Sequence, residues 1–254
     1  MTFTRVPARE SAVDACARAV REAILRGELR PGERLPPERD LADRLGVARL
    51  TLRAGLAKLA AAGLVAARQG SGYVVQDFRQ RGGPDLVPGL LAAAGPTETV
   101  AVVAELLSVR RALARVLLER LSTTAGPAEV AAVDAAVDAL ARLAGAGAAI
   151  DELAAADLAV VRALIDAASS AVLGLCINPV VAVLSELPEL RAAVYADPGD
   201  NVRGYRTLVG WLRLAPAVRR KGVERIVEVL AALDVAALGR LPAAIRSRGT
   251  RRRS

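Results

Sequence analysis

The chain has 254 residues, which is enough for one large domain or two domains of modest size. Hydrophobic residues make up 53% of it and aromatic residues only 2%, a composition that indicates packed, alanine-rich helices. The chain contains no histidine, which excludes Ser-His-Asp catalysis and metal sites built on histidine. The formal net charge of +8 favours a polyanionic partner such as nucleic acid.

Signals for membranes or secretion are not found in the sequence. No window contains the roughly 18 unbroken apolar residues that a membrane span needs, and the first residues lack the apolar core of a signal peptide. We therefore expect a cytoplasmic protein without a membrane partner. Cys16 and Cys176 are far apart and have no metal-ligand spacing, so we expect both thiols to be reduced and buried.

The N-terminal third predicts three helices. Residues 10–28 carry apolar side chains at helical spacing and predict the first helix. After a loop rich in proline and glycine, a short helix begins near Pro37 and ends at Gly46, since glycine accepts the left-handed geometry of a helix C-terminus. A further helix is expected from about Ala48 to Gly63.

A β-hairpin follows these helices. Two short strands, Leu64–Ala67 and Tyr73–Val75, flank a Gln-Gly-Ser-Gly tip. Helix, helix, short turn, helix and hairpin together predict a winged helix-turn-helix over residues 1–77. Residues 78–96, which contain glycines and prolines, are predicted to be a linker.

Residues 97–240 predict an all-helical bundle for ligand binding and dimerisation, so the expected fold class is mainly α. The expected helices are Thr97–Leu121, Pro127–Ala144, Ile150–Ala168, one near Pro179–Leu187, Asn201–Leu214 and Ala217–Leu238. The basic tail, residues 241–254, is expected to be disordered.

The predicted helix-turn-helix suggests contacts to DNA, because the N-terminal residues of its second helix meet base edges in the major groove. Arg49 and Arg53 are four residues apart and share a helix face, and arginine is the best side chain for a bidentate contact to guanine. Thr51 is expected to reach a phosphate or a base, and Arg39 to join them. The tip at residues 69–72 is narrow enough for the minor groove. Ordinary solvated helix charges are the alternative interpretation of these arginines.

Residues 31–75 closely resemble the DNA-binding domain of GntR-family bacterial transcription regulators. The shared elements are P-G-x-x-L-P-x-E-R-x-L-A, L-G-V-x-R-x-T-L-R-x-x-L and a Q-G-x-G wing. The resemblance implies a homodimer on a short palindromic operator. By position, its base and phosphate contacts fall on Arg39, Arg49 and Arg53 and its wing contact on Gly70. Gln69, in the same tip, is a further candidate DNA-binding residue. Ala48 and Leu50 depart from the family pattern, in which small polar residues are frequent, and Leu50 is suited to touch a thymine methyl group.

The second domain resembles the all-helical effector domain of the FadR branch of this family. Most members of this domain class bind a divalent metal through one aspartate and three histidines. Asp157 stands at the aspartate position, but Val161 occupies the position of one of the histidines. The chain contains no histidine at all. We therefore expect neither a metal nor another cofactor, and we expect Asp157 to be a surface or capping carboxylate.

The resemblance also implies an effector, because the metal-free members of the branch sense long-chain acyl-CoA. An apolar cavity between helices would accept the acyl chain, and arginines at its mouth would pair with the phosphates. The candidate ligand-binding residues are Arg110, Tyr195, Tyr205 and Trp211. The alternative is that the aromatic side chains pack in the core or in a dimer interface.

Other functions stay open or are disfavoured. Catalysis is disfavoured, since neither of the two lysines lies in a recognisable motif and GSGYVV leads into a strand instead of a phosphate-binding helix. A regulator with a different organic-acid effector or with a vestigial pocket remains an alternative. An architectural DNA-binding protein without ligand control is a third possibility, which a low preference for specific DNA would reveal.

Overall fold

The computed structural model describes residues 11–68 and 72–251, although the side chains of Pro96, Glu186 and residues 246–251 are outside this description. The chain divides into two compact units, Met1–Gly95 and Pro96–Ser254. The first holds a helix-turn-helix with a hairpin and the second is helical throughout its described residues, so the predicted fold class is confirmed.

The N-terminal unit packs three helices against a small antiparallel sheet. Its elements are α1 (Ala12–Leu25), α2 (Glu38–Leu45), α3 (Arg49–Ala61), β1 (Val65–Arg68), β2 (Gly72–Val75), α4 (Phe78–Arg81), a 3₁₀ turn (Pro84–Leu86) and α5 (Val87–Ala93). Leu52, Leu56 and Leu64 are almost completely buried between these elements. Burial of such leucines on one face of α3 supplies the main stabilisation of the unit.

Local signals fix the turn that positions α3. Gly46 follows α2 with φ of 65°, the left-handed conformation that the sequence predicts for it. The Lys58 ammonium lies 2.5 Å from the Asp14 carboxylate and ties α3 to α1. In the hairpin Val65 pairs with Val75.

The segment predicted as a linker, residues 78–96, is instead folded. It forms α4, the 3₁₀ turn and α5, and α5 packs on α1. Leu86 and Leu91 are buried, and a Cβ added at Gly89 would lie 2.7 Å from a methyl carbon of Leu25. The apolar side chains of this stretch therefore outweigh its glycines and prolines, which indicated a linker.

Gly63, which connects α3 to β1, offers a test of this local geometry. It has φ of +72°, and a Cβ there would lie 2.5 Å from the Arg81 carbonyl oxygen. Gly63→Ala is expected to cost about 2 kcal/mol or more, since a backbone clash adds to the left-handed strain. The matched control is Gly46→Ala, which also has positive φ but open space around it and should cost only about 1 kcal/mol. Calorimetric melting of the full chain measures the stability lost in each variant. Equal losses in Gly63→Ala and Gly46→Ala would contradict the predicted clash with the Arg81 carbonyl.

The C-terminal unit is a helical bundle, as the sequence predicts. Its elements are α6 (Pro96–Thr124), α7 (Pro127–Gly145), α8 (Ile150–Ala167), α9 (Ala171–Glu186), α10 (Pro188–Val194), α11 (Pro198–Leu212) and α12 (Pro216–Arg251). Helix α6 packs along α12, and α7 packs along α8. Val133, Val137 and Val160 are fully buried where these helices meet.

Two parts of this bundle differ from the sequence-based expectation. Helix α9 begins at Ala171, where Ser170 caps it, and Pro179 lies inside the helix instead of starting it. Helix α12 continues to Arg251 through Pro242, whereas the tail was expected to be disordered from residue 241. Leu241 is 1% exposed, so its packing anchors the helix beyond the predicted end. Residues 252–254 of the predicted tail lie outside the described residues.

One cysteine expectation is wrong. Cys16 is buried and burial raises the pKa of its thiol, but Cys176 is exposed on α9. Within the described residues, no single helix is long and apolar enough to cross a membrane, and one helix pair reaches that length only across a 91° bend.

Candidate nucleic-acid interface and ligand cavity

The N-terminus of α3 is open to solvent. The helix begins at Arg49, and the preceding Ala48 provides no side-chain cap. Ala48, Arg49 and Leu50 are all exposed. The first N–H groups of a helix have no partner within the helix and carry partial positive charge. This end of α3 is therefore suited to approach an anion such as a DNA phosphate.

Two further arginines extend this surface. The side chains of Arg39 and Arg53 are 71% and 67% exposed. Arg53 Nε lies 3.8 Å from a Glu38 carboxylate oxygen, which brings the start of α2 beside the second turn of α3. Arg39 makes only a 3.7 Å contact to its neighbour Asp40. Such exposed pairs contribute little, so both guanidinium groups are free to exchange these contacts for DNA.

Leu50 is the most exposed large hydrophobic residue of the described chain, at 80%. A leucine exposed at the N-terminus of such a helix gains from burial against an apolar surface, and a thymine methyl group offers one in the major groove. Thr51 is half-buried, so less of it can be reached from solvent than of Arg49 and Leu50.

The wing contributes residues that the sequence interpretation overlooked. Gln69 and Gly70, the predicted wing contacts, lie outside the described residues. Arg68 is exposed at the end of β1, immediately before the tip. Arg34, interpreted from sequence as a loop charge, forms a backbone bridge to Val74 and so lies at the edge of the hairpin. The position of Arg68 next to the glycine tip was the sequence signal for its role.

The helical unit contains a cavity of about 130 Å³ that is partly open to solvent. Helices α6, α8, α9, α10, α11 and α12 line it, mainly with leucine and valine side chains. A second, almost entirely apolar cavity of about 70 Å³ adjoins it and shares Arg110, Tyr205 and other lining residues. Three of the four predicted ligand-binding residues, Arg110, Tyr195 and Tyr205, lie at the larger cavity.

Trp211, the fourth predicted ligand-binding residue, is not among the cavity-lining residues. Its side chain is 5% exposed within the core, its Nε1–H donates to the Arg219 carbonyl at 3.0 Å, and the backbone at Gly222 closely approaches its ring. A tryptophan whose only polar atom is satisfied in this way serves packing, so the alternative interpretation holds for this residue.

Asp157 is likewise different from expectation. It lies in the middle of α8, is half-buried and lines the cavity, so it is neither a capping carboxylate nor a fully exposed one. Burial raises its pKa, while the hydroxyl groups of Tyr205 and Tyr195, as donors, lower the pKa in part. Burial also raises the pKa of Tyr205 and of Tyr195, and the Asp157 charge adds to both increases. The three side chains thus form one polar cluster in an apolar cavity.

This cluster does not fit the metal centre that is usual for the domain class. The chain has no histidine, and the described residues contain no group of three Cys, Asp or Glu side chains that could hold a metal ion. The side chains that hydrogen-bond to Asp157 are the neutral hydroxyl groups of Tyr205 and Tyr195. No step of the function proposed below passes through a metal.

The raised pKa of Asp157 predicts a dependence of stability on pH. A carboxyl group that binds its proton more tightly in the folded chain opposes folding once the pH rises through its folded pKa. Asp157→Asn should therefore raise the melting temperature at pH 7 relative to the unmodified chain, because the amide cannot take up a charge. The gain should vanish near pH 3, where the carboxyl is protonated in both states.

Thermal melts of both proteins between pH 3 and 8 measure this effect. Glu228→Gln, which changes an exposed carboxyl group of α12, is the control and should change stability little at any pH. A gain for Asp157→Asn that is the same at pH 3 and pH 7 would contradict the assignment to the carboxyl charge.

Two family models match the chain. Residues 13–75 match the bacterial regulatory proteins of the gntR family, a range that contains α2, α3 and the hairpin. Residues 105–236 match the FCD domain, which is more than half of the chain and contains Arg110, Asp157, Tyr195 and Tyr205.

Known proteins resemble the chain to different extents. The uncharacterized HTH-type transcriptional regulator Rv0494 of Mycobacterium tuberculosis is 39% identical over 169 residues, which are 66% of each chain. The fatty acid metabolism regulator protein of Haemophilus influenzae is 41% identical over 61 residues, which are 24% of this chain and 25% of that protein. The chain thus spans just under two thirds of the first relative and a quarter of the second. Both are named as regulators and not as enzymes.

Among solved structures, Lar, which controls the expression of the Listeria monocytogenes agr system, superposes with a TM-score of 0.56 at 17% identity. The superposition covers 91% of this chain and 98% of that chain, and at this identity it shows the fold alone. The two family matches, together with the winged helix-turn-helix and the helical bundle, place the chain in the gntR family of bacterial regulatory proteins, with an FCD domain as its second unit.

Proposed function

We propose that the chain is a sequence-specific DNA-binding transcription regulator whose affinity for its operator is set by a small effector bound in the helical unit. The observation that carries the first part is the exposed, uncapped start of α3, where Arg49 and Leu50 face solvent and Arg53 lies one turn further. Guanidinium groups and one apolar side chain on a reading helix supply hydrogen bonds to guanine and contact to thymine. The site of action is DNA in the cytoplasm.

The cavity supports the second part of the proposal. It is lined by six helices and combines apolar walls with a polar cluster, which is the usual chemistry of a small-molecule site. A ligand that contacts several helices at once has different affinities for two arrangements of those helices. Such a difference is what a ligand needs in order to shift an equilibrium between DNA-binding and released states.

The size of the cavity bears on the identity of the effector. Long-chain acyl-CoA is the effector that the resemblance to the FadR branch suggests, and the apolar lining suits an acyl chain. A volume of about 130 Å³ is close to that of an engineered cavity of about 150 Å³ that binds benzene. A cavity of this volume matches a small molecule more closely than a complete long-chain acyl-CoA.

A homodimer on a palindromic operator is part of the same proposal. Val172 and Leu175 on α9 are each 72% exposed, and Val116 on α6 is 49% exposed. Helices α6 and α9 pack together, and a second copy of the chain would bury these side chains.

Leu175→Glu should convert dimer to monomer in sedimentation experiments, because it places a charge in an apolar contact. A dimer of unchanged affinity would contradict this location, and the exposed Glu228→Gln is the control.

Ligand control is tested by titrating the full chain on its own promoter DNA in a gel-shift experiment. Small molecules that co-purify with the native protein, identified by mass spectrometry, and a long-chain acyl-CoA are added in separate titrations. The proposal expects one of them to change the DNA affinity at least about tenfold, a coupling of about 1.4 kcal/mol. Affinity that no co-purified or added molecule changes would favour a vestigial pocket or an architectural protein.

A further inference from the structure

The cavity of the helical unit contains one carboxylate without a cationic partner. Among the described residues, no Arg or Lys nitrogen lies within 4 Å of the Asp157 carboxylate, and Tyr195 and Tyr205 provide only neutral hydroxyl groups. Two tyrosine donors leave acceptor capacity on the carboxylate unused. An isolated buried carboxylate is unfavourable unless a counter-charge joins it. A ligand ammonium group would be that counter-charge.

The arginines at the cavity do not provide it, because each already has an acidic partner. The pairs are Arg110 with Asp234, Arg191 with Asp151 at 2.8 Å and Arg240 with Asp200 at 3.5 Å. Arg110 acts on Asp157 only through longer-range electrostatics. Each of these arginines therefore has a carboxylate within 4 Å, whereas the Asp157 carboxylate has no arginine or lysine of the described residues within that distance.

The same cavity contains hydrogen-bond donors without acceptors. Asn201 is 8% exposed, and its Nδ2 has no partner in the described part of the chain. Arg110 Nε and Arg191 Nε are also buried without a partner, and all three residues line the cavity. Buried donors are rarely left unsatisfied in folded proteins. Three of them at one cavity indicate a ligand oxygen, and two of the three belong to cations, which favours a carboxylate.

The cavity thus has two poles, the Asp157 carboxylate and the unsatisfied donors of Asn201, Arg110 and Arg191. Asn201 and Tyr205 are four residues apart on α11 and therefore neighbours on one helix face, at about 5–6 Å between Cβ atoms. The Tyr205 hydroxyl group interacts with Asp157, and Asp157, Asn201 and Tyr205 all line the one cavity of about 130 Å³. The rest of the wall is leucine and valine, and the adjoining apolar cavity of about 70 Å³ extends it.

We propose that this cavity binds a small zwitterion with an aliphatic body, in the manner of valine or leucine. Its ammonium group meets Asp157, its carboxylate receives hydrogen bonds from Asn201, Arg110 and Arg191, and its side chain occupies the apolar end. The inference rests on the proposed function, because it names the ligand class of the same cavity. It replaces the metal-assisted recognition that the chain cannot provide with direct ion pairing.

Calorimetric titration of the full chain tests both poles with four probes of similar shape. L-valine and L-leucine carry both charges, 4-methylpentanoate lacks the ammonium group, and 3-methylbutylamine lacks the carboxylate. We expect at least one of the amino acids to bind, and each single-charge analogue of leucine to bind about tenfold more weakly or not at all, as loss of one charged contact implies. Equal affinity of 4-methylpentanoate would overturn the ammonium pole, and equal affinity of 3-methylbutylamine would overturn the carboxylate pole.

Two variants separate the poles further. Asp157→Asn should reduce the preference for leucine over 4-methylpentanoate, whereas Asn201→Leu should reduce the preference for leucine over 3-methylbutylamine. Glu228→Gln, outside the cavity, should leave both preferences unchanged. Trp211 fluorescence verifies that each variant is folded. The series on the unmodified chain decides the question if a variant fails to fold.

Gel-shift titration with the same probes distinguishes failure of this inference from failure of the proposed function. Specific DNA binding that none of the zwitterions changes, but that an acyl-CoA releases, would overturn the zwitterion and leave the regulator intact. Absence of specific DNA binding would overturn the proposed function whatever the calorimetry shows.

Discussion

Asp234→Ala is expected to destabilise the helical unit by about 2–4 kcal/mol. The Asp234 side chain is 4% exposed and binds two guanidinium groups of α6, with Arg111 Nη1 at 2.8 Å and Arg110 also in contact. Removal of one partner of a buried ion pair costs about 3–5 kcal/mol, because a charge is left buried alone. The value expected here is smaller, since both arginines are about 30% exposed and can regain water.

Urea denaturation followed by the fluorescence of Trp211 measures this loss. Trp211 is the only tryptophan of the chain and lies in the core of the same unit, so its signal reports on that unit. The matched control is Glu224→Ala, which removes a partner of Arg115 between the same two helices. Glu224 is 66% exposed, and its loss should cost about 1 kcal/mol or less. Equal effects of the two substitutions would show that Asp234 does not link α6 to α12 as described.

Arg49→Ala and Arg53→Ala are each expected to weaken operator binding by about 1–3 kcal/mol and to relax specificity at one base pair. Both arginines lie on one face at the start of α3, where base edges are within reach of a reading helix. A guanidinium that makes a bidentate contact to guanine carries sequence information, whereas a phosphate contact does not. The loss should therefore be larger on operator DNA than on unrelated DNA.

Arg44→Ala is the control for these substitutions. Arg44 is exposed in the last turn of α2, and its loss should weaken binding to all duplexes alike through the salt-dependent attraction. Competition titrations against duplexes with single base-pair changes measure the difference. If Arg44→Ala relaxed specificity as much as Arg49→Ala, the division between reading and general charges would be wrong.

The helix-turn-helix of the N-terminal unit can be predicted from local sequence patterns, because the residues that determine it lie within a few positions of one another. Gly46 in the left-handed conformation fixes the turn, and four-residue spacing places Arg49 and Arg53 on one face. The glycine-rich tip predicts the hairpin, and the strands in the structure differ from the predicted ones by one residue at their ends. These features are set by backbone conformation and helix periodicity, both of which are local.

The cavity depends on long-range contacts and was only partly predictable. The rarity of aromatic residues in the chain indicates Tyr195 and Tyr205, which do line the cavity. The same criterion indicates Trp211, which instead packs against Arg219 and Gly222 in the first turns of α12. A lone carboxylate without histidine partners indicates a surface position for Asp157, whereas the packing of six helices places it at the cavity. Which of these side chains line the cavity is decided by tertiary packing between distant helices and not by spacing along the chain.

Sequence-specific DNA binding by the chain is tested most directly by a ratio of two affinities. Fluorescence anisotropy would compare the full chain on a duplex from its own promoter region with a scrambled duplex of equal length, at physiological ionic strength. We predict that the promoter duplex binds at least about 10³-fold more tightly, with Arg49→Ala reducing that ratio. A ratio near one, with a steep dependence on salt for both duplexes, would contradict the account and identify a non-specific DNA-binding protein.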